Sequence, residues 1–312
     1  MQKRRFVPGA LNHIFFISRD GGVLFYLTSD RLFFYSLLAV LARRHKVVIV
    51  GICIMYTHVH LMVRAKDLAQ LRAFMGQLLR ALSLIFRKDR GLEGPILKTP
   101  FGSAPRVDSK SQRSSLIYLF NNPVEKHLCT QAVADRWTFL AYYEGNPSPF
   151  SVPLVKRKSS QKMRDKCALI DAEFAAGRFL RPAFLRGLSR GLSKEEQEQL
   201  VDYIVVKYQC IDYRSALEIF DGYDKLIQTT DMTTGKEFEI GEEFSNETDS
   251  AYADMIRLAA NARLFEGWQL LHLDSASQKR YARIFRNEAH ATEQQICKFL
   301  HLSRIPQQDF GR

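Results

Sequence analysis

The stretch "KVVIVGICIMYTHVHLMVRA", residues 46–65, decides the fold of the first half of the chain. Two runs rich in Val and Ile stand on either side of Tyr56-Thr57, so the stretch predicts two adjacent strands. Side chains alternate along a strand, which places His58 and His60 on the same face of the second one. Two imidazoles so close together can bind one divalent cation. The alternative is that both are ordinary surface or hydrogen-bonded residues of a sheet.

The elements around this pair complete a small α+β unit. "HIFFISR" and "GVLFYLT", residues 13–28, flank Gly21-Gly22 and predict a strand or hairpin. Ser29 and Asp30 can cap a helix that ends near residue 44, and apolar residues at three- and four-residue spacing predict a long helix from 68 to 85. "GPILKTPFG", residues 94–102, is extended, and "SQRSSLIYLFNNP", 111–123, is helical. This order favours a ferredoxin-like antiparallel sheet with helices on one face.

The second half of the chain predicts mostly helices. A segment rich in Pro, Ser and Lys, residues 149–162, is typical of a linker. It divides the chain into a first domain, 1–148, and a helical C-terminal region, 163–312. Ser193 and Glu196 form a capping box pattern, and further helices are predicted at 251–262, 275–289 and 292–300. The acidic stretch from Thr229 to Ser250 is typical of a mobile connection.

Charge and composition narrow the classes of function. Residues 1–150 hold 21 Lys and Arg against 9 Asp and Glu, a net charge of +12, so the whole excess of the chain lies there. This distribution favours a polyanionic partner, nucleic acid before membrane, although general solubility is the simpler alternative. The longest apolar run, residues 32–42, is too short to cross a bilayer, and five scattered cysteines suggest neither disulfides nor a zinc site. We expect a cytoplasmic protein.

A second motif lies in the helix predicted at 111–123. At 100° per residue, the apolar residues of "SSLIYLFNN" fall on one arc and Tyr118 falls on the other. Asn122 lies one turn further on, so the helix presents a phenol and an amide side by side. The alternative is a half-exposed tyrosine in a helix that ends at Asn122-Pro123.

Together, "MYTHVHLMV" and "LIYLFNNPVEK" resemble the motifs of the HUH single-tyrosine transposases, which include the REP-associated tyrosine transposases. His58, Val59 and His60 match the His-hydrophobic-His strand, and Tyr118, Asn122 and Pro123 match the tyrosine helix. The resemblance covers about residues 6–145. It implies that Tyr118 is a nucleophile and that His58, His60 and Asn122 bind Mg²⁺ or Mn²⁺.

The resemblance also implies a substrate and a product. Attack by Tyr118 on single-stranded, hairpin-bearing DNA would give a 5′-phosphotyrosine link and a free 3′-OH. Four arginines are candidate contacts to DNA phosphates: Arg43, Arg44, Arg64 and Arg106. The family admits a homodimer as well as a monomer.

Three other interpretations stay open at this point. A non-catalytic nucleic-acid-binding or regulatory protein could use the same fold, and a metal-dependent phosphodiesterase would use water in place of Tyr118. In the C-terminal region, "ATEQQICKFLHLSRI", residues 291–305, resembles the first helix and turn of a helix-turn-helix, but it is equally typical of a helix packed in a bundle.

Overall fold

A computed structural model of the protein describes residues 6–232, 248–262 and 267–303. Its centre is a four-stranded sheet in the order β2-β3-β1-β4, in which every neighbouring pair is antiparallel. The strands are β1 (Leu11–Ile17), β2 (Val48–Ile54), β3 (His58–Arg64) and β4 (Gly102–Arg106). Helix α1 (Thr28–His45) joins β1 to β2, and α2 (Leu68–Arg90) joins β3 to β4. The predicted ferredoxin-like α+β fold is confirmed.

The two faces of the sheet bury different sets of side chains. Ile14, Phe16, Val59 and Leu61 belong to the core that α1 and α2 form on one face. The opposite face carries the histidines of β3, and we call it the histidine face. Helix α3 (Ser109–Glu125) packs on the β2 side of this face through side chains such as Leu116 and Phe120. Helices therefore lie on both faces: α1 and α2 cover one face, and α3 covers the other instead of joining them in the predicted single layer.

Gly51 in β2 shows how closely α3 approaches the sheet. A Cβ atom at this position would lie 3.1 Å from Cδ2 of Leu116 and 3.4 Å from Cζ of Phe120. Asp108 begins the helix by accepting a hydrogen bond from the backbone N–H of Ser111, at 2.8 Å. The packing and the cap together fix which side chains of α3 face the sheet.

Two predictions about strands were wrong in detail. Residues 23–27 form no strand: the N–H groups of Leu24 and Phe25 donate to the carbonyl of Tyr56 instead. Apolar residues suit a buried loop as well as a hairpin, and these side chains are buried in the core. The fourth strand begins at Gly102, where the predicted extended segment ends. The predicted segment is extended as well, but it pairs with the end of β1 only through an isolated bridge between Leu97 and Ser18, where the N–H of Lys98 donates to the carbonyl of Ile17 at 3.0 Å.

The C-terminal region is helical, as predicted. Its helices are α4 (Gln161–Ala175), α5 (Pro182–Ser189), α6 (Lys194–Lys207), α7 (Tyr213–Phe220), α8 (Tyr223–Met232), α9 (Ser250–Asn261), α10 (Ser275–Glu288) and α11 (Glu293–Leu300). Helices α5 and α6 cover the outer side of α1, whereas α7 and α8 pack beside α3. The capping box of Ser193 and Glu196 is present at the start of α6. Most of the acidic stretch, residues 233–247, lies outside the described residues.

Helices α9 to α11 form their own apolar cluster with the loop that follows β1. Phe299 and Ile296 of α11 are buried in this cluster beside Tyr26 and Tyr56. The Tyr26 hydroxyl donates to the carbonyl of Phe299 at 2.6 Å. Helix α11 therefore packs against other elements, as in the bundle interpretation of residues 291–305. None of the helices described has the length and apolar character that crossing a bilayer requires.

Residues 149–162, predicted as a linker, contact the rest of the chain. The buried carboxylate of Asp202 accepts hydrogen bonds from the N–H of Phe150 at 3.2 Å and from the hydroxyl of Ser151 at 2.8 Å. It also accepts one from the hydroxyl of Tyr142, at 2.7 Å. The segment is thus joined to α6, and the division of the chain into two domains stays a prediction.

Candidate active site

Three histidines meet on the histidine face. His58 and His60 point to the same side of β3, and their ring centroids are 4.9 Å apart. His13 on β1 joins them, because the register of β1 and β3 pairs it with Met62, which lies on the same face. Nε2 of His13 lies 3.0 Å from Nδ1 of His60, a hydrogen-bond distance. The three rings come from two neighbouring strands, so the sheet itself fixes their positions.

Tyr118 of α3 reaches this group from above the sheet. Its ring centroid is 5.4 Å from that of His60 and 6.0 Å from that of His13, in both cases edge to face. The tyrosine is only 4% exposed. It does lie away from Leu116 and Phe120, as its position on the helix predicts, but it is not half-exposed. The structure therefore brings Tyr118, His58 and His60 together, with His13 as a fourth member; we call these four residues the histidine–tyrosine cluster.

Asn122 lies on the same helix, one turn beyond Tyr118. Its Nδ2 donates a hydrogen bond to the backbone carbonyl of Tyr118 at 2.8 Å. The helix continues through Pro123 to Glu125, so the interpretation in which it ends at Asn122-Pro123 is wrong. Because the amide nitrogen bonds within the helix, the amide oxygen is the atom of Asn122 that suits a metal ion.

Burial keeps the inner histidines neutral. His60 is fully buried, and desolvation lowers its pKa to about 3. Burial also lowers the pKa of His13, and the neighbouring His60 and Arg106 add to this effect. A neutral imidazole has one N–H and one acceptor nitrogen, so His13 and His60 share a single donor in the bond between them. Neutral imidazole is also the form that binds metal ions.

The hydrogen bonds of the two β3 histidines fit metal binding. Nδ1 of His58 lies 2.9 Å from Oγ1 of Thr57, and Nδ1 of His60 lies 3.0 Å from His13. Metal-binding histidines usually engage one ring nitrogen with the protein, which orients the other toward the ion. The Nε2 atoms of both residues are thus the ones that would bind. Among the residues that the structure describes, no three His, Cys, Asp or Glu form a group that could hold a metal ion, so a third ligand from these residues would be of another type.

The four candidate arginines separate into two groups. Arg106 lies on the histidine face, close enough to His13 to affect its pKa, and Arg64 donates to the hydroxyl of Ser215 at 2.9 Å. Arg43 and Arg44 lie at the end of α1, on the other side of the sheet. The guanidinium of Arg43 stacks 4.5 Å from the ring centroid of Phe174 in α4. The structure therefore does not bring Arg43 and Arg44 to the histidines.

Sequence reasoning missed His13. The residue opens the run "HIFFISR", but only the pairing of β1 with β3 shows that it faces His60. Alternation along "HIFFISR" could have placed His13 on one face with Phe15. The choice of face depends on the register, which a single strand does not reveal.

Comparison with known proteins gives one distant likeness. A solved structure of a REP-associated tyrosine transposase bound to a REP hairpin is similar over 44% of this chain and 80% of that chain, with 17% identity and a TM-score of 0.36. No family model matches the chain, and no curated protein matches its sequence. The function of the chain is therefore inferred from the geometry of the histidine–tyrosine cluster and from the sequence motifs.

Proposed function

We propose that the protein is a single-tyrosine DNA transposase that cleaves and rejoins single-stranded, hairpin-bearing DNA. One observation supports this proposal above all: the phenol of Tyr118 lies against the imidazoles of the His-Val-His strand, with ring centroids 5.4 Å from His60. The two motifs are 58 positions apart in sequence, and α3 carries the tyrosine back over the strand that holds the histidines.

In this proposal Tyr118 supplies the nucleophile. Its Oη bonds to the scissile phosphorus, the bond from phosphorus to the 3′-oxygen breaks, and that oxygen leaves with a proton as a 3′-OH. The product is a 5′-phosphotyrosine, and because one phosphodiester replaces another, the reaction can run backward to join strands without ATP. His58 and His60, with the amide oxygen of Asn122, would hold Mg²⁺ or Mn²⁺, which would offset charge on the phosphate and favour ionisation of the phenol. His13 would orient His60 through their hydrogen bond.

The second candidate is a non-catalytic nucleic-acid-binding protein. It is favoured by the burial of the cluster: His60 is 0% exposed and Tyr118 is 4% exposed, and of the three histidines in the cluster His58 alone is half-buried. A scissile phosphate would have to enter from the side of His58, or α3 would have to move. A cytoplasmic location and a homodimer stay predictions.

Covalent trapping separates the two candidates. Labelled single-stranded hairpin DNA from the flanks of the gene is incubated with the protein in Mn²⁺ or EDTA and run on denaturing gels. We expect a metal-dependent adduct that disappears in Tyr118→Phe and falls at least a hundredfold in His58→Ala. Tyr281→Phe, a half-buried tyrosine of α10, is the matched control and should keep the adduct. Cleavage without an adduct, retained in Tyr118→Phe, would instead indicate that water is the nucleophile.

A further inference from the structure

A second candidate site lies on the side of the sheet opposite the histidine face. A cavity of about 290 Å³ opens between the end of α1 and helices α4 and α5. Its charged lining residues are Arg44, Arg178, Arg181 and Glu173, and its aromatic ones are Phe179 and Phe184. We call it the arginine pocket. Arg44 of α1 lines this pocket, whereas its neighbour Arg43 lies over the ring of Phe174 in α4.

The arginine pocket carries uncompensated positive charge. Glu173 pairs with Arg178 through two hydrogen bonds of 2.9 and 2.7 Å, so these two charges cancel. Arg44 and Arg181 are exposed, and within the described residues no carboxylate pairs with either of them. Two guanidinium groups without acidic partners attract an anion, and their planar shape suits phosphate oxygens.

The pocket also offers aromatic surface beside these charges. Phe179 and Phe184 are both half-buried, and each packs one side against the core of α1 and α2. A Cβ atom at Gly177, which borders the pocket, would meet no atom within 4 Å, so this edge of the pocket is open. Arginines next to exposed ring surface are the combination that proteins use to hold a phosphate and stack a base of a single strand.

We propose that the arginine pocket binds one nucleotide of single-stranded DNA outside the cleavage site. The phosphate would contact Arg44 and Arg181, and the base would stack on Phe184. A base in a duplex cannot enter such a pocket without leaving its stack, so the occupant is single-stranded. The inference rests on the proposed function and extends it. It assigns to α4 and α5 a contact with the single-stranded DNA that enters or leaves the histidine–tyrosine cluster.

Binding of fluorescent dT20, measured by anisotropy with the full-length protein in EDTA, tests this proposal. The variant Arg44→Ala/Arg181→Ala should bind at least tenfold more weakly, and its slope of log K against log salt should be shallower by about 1.4, as expected for two lost single-strand contacts. Arg280→Ala/Arg283→Ala is the control: it removes the same charge from exposed positions of α10. Phe184→Leu should weaken dT20 severalfold while leaving an abasic 20-mer unaffected.

Two results would overturn the proposal. Equal weakening by both arginine pairs would show that net charge alone sets the affinity. Unchanged binding by the Arg44/Arg181 variant would show that the strand lies elsewhere. Neither result depends on cleavage. If wild type forms no covalent adduct but the Arg44/Arg181 variant still binds dT20 more weakly than wild type, the transposase proposal is refuted and the pocket proposal stands. If wild type forms the adduct but the variant binds dT20 as tightly as wild type, the pocket proposal is refuted and the transposase proposal stands.

Discussion

Acidification should destabilise the fold through the buried imidazoles of His13 and His60. Desolvation lowers the pKa of His60 from 6.5 to about 3, and it lowers the pKa of His13 as well. A histidine whose pKa falls on folding binds fewer protons in the folded state than in the unfolded state. The contribution of these two histidines to the free energy of unfolding is therefore fully present above about pH 6.5, and it declines as the pH falls toward 3.

The size of the effect follows from the two pKa values of His60. Inside that window each pH unit removes about 1.4 kcal/mol, and the loss begins only gradually near pH 6.5. Going from pH 7 to pH 5 therefore removes about 2 kcal/mol from the free energy of unfolding. His13 contributes with the same sign, because its pKa is lowered too.

Urea unfolding at pH 7 and pH 5, in EDTA, isolates the contribution of His60 when wild type is compared with His60→Asn. Groups away from this pair titrate in both proteins and cancel in the difference. His13 does not cancel fully, because His60 helps to lower its pKa, and its share adds to the difference with the same sign. Wild type should lose about 2 kcal/mol more than the variant between the two pH values. Equal losses in the two proteins would refute the burial of a neutral imidazole at this position.

Three further predictions concern stability. Asp30→Ala should cost about 3–5 kcal/mol in chemical denaturation, because it leaves the buried guanidinium of Arg90, now 2.9 Å from the carboxylate, without its partner; a loss below about 1 kcal/mol would contradict this. Gly102→Ala should lower the melting temperature, since the new methyl group would overlap the ring of Phe15, and the cost should shrink in a Phe15→Leu background. Asp202→Ala should speed tryptic cleavage in the basic segment ahead of α4, because its carboxylate accepts the hydrogen bonds that hold that segment; an unchanged rate would refute this role.

The sheet and helices α1 and α2 could be predicted because the spacing of apolar residues and the intrinsic propensities of the residues favour the same elements there. Residues 46–65 alternate and are rich in branched side chains, and the apolar spacing of α2 marks one face of a helix. The segment after Gly22 could not be predicted in this way, since its aromatic residues are equally suited to a buried loop. The packing of α5 and α6 on α1 was also missed, although a signal existed: α1 is apolar around its whole circumference, which is typical of a helix buried on all sides.

Some residues of the candidate site could likewise be predicted from the sequence, whereas others depend on long-range packing. Local periodicity places His58 and His60 on one face of a strand and Tyr118 away from the apolar arc of its helix, and the resemblance of the two motifs to a known family then singles these residues out. His13 belongs to the cluster only through the register between β1 and β3, which is a long-range property. The placement of Arg44 at the arginine pocket and of Arg43 on Phe174 likewise depends on how α4 and α5 dock, and no local pattern encodes these contacts.

The most direct test of the central claim is to locate the DNA on the protein. Trypsin should release residues 114–126, "SSLIYLFNNPVEK", in which Tyr118 is the sole tyrosine. After reaction with hairpin DNA in Mn²⁺ and digestion with nuclease, mass spectrometry should find this peptide carrying a 5′-phosphate-linked nucleotide. A nucleotide on any other peptide, or bound and nicked DNA with this peptide unmodified, would contradict the account.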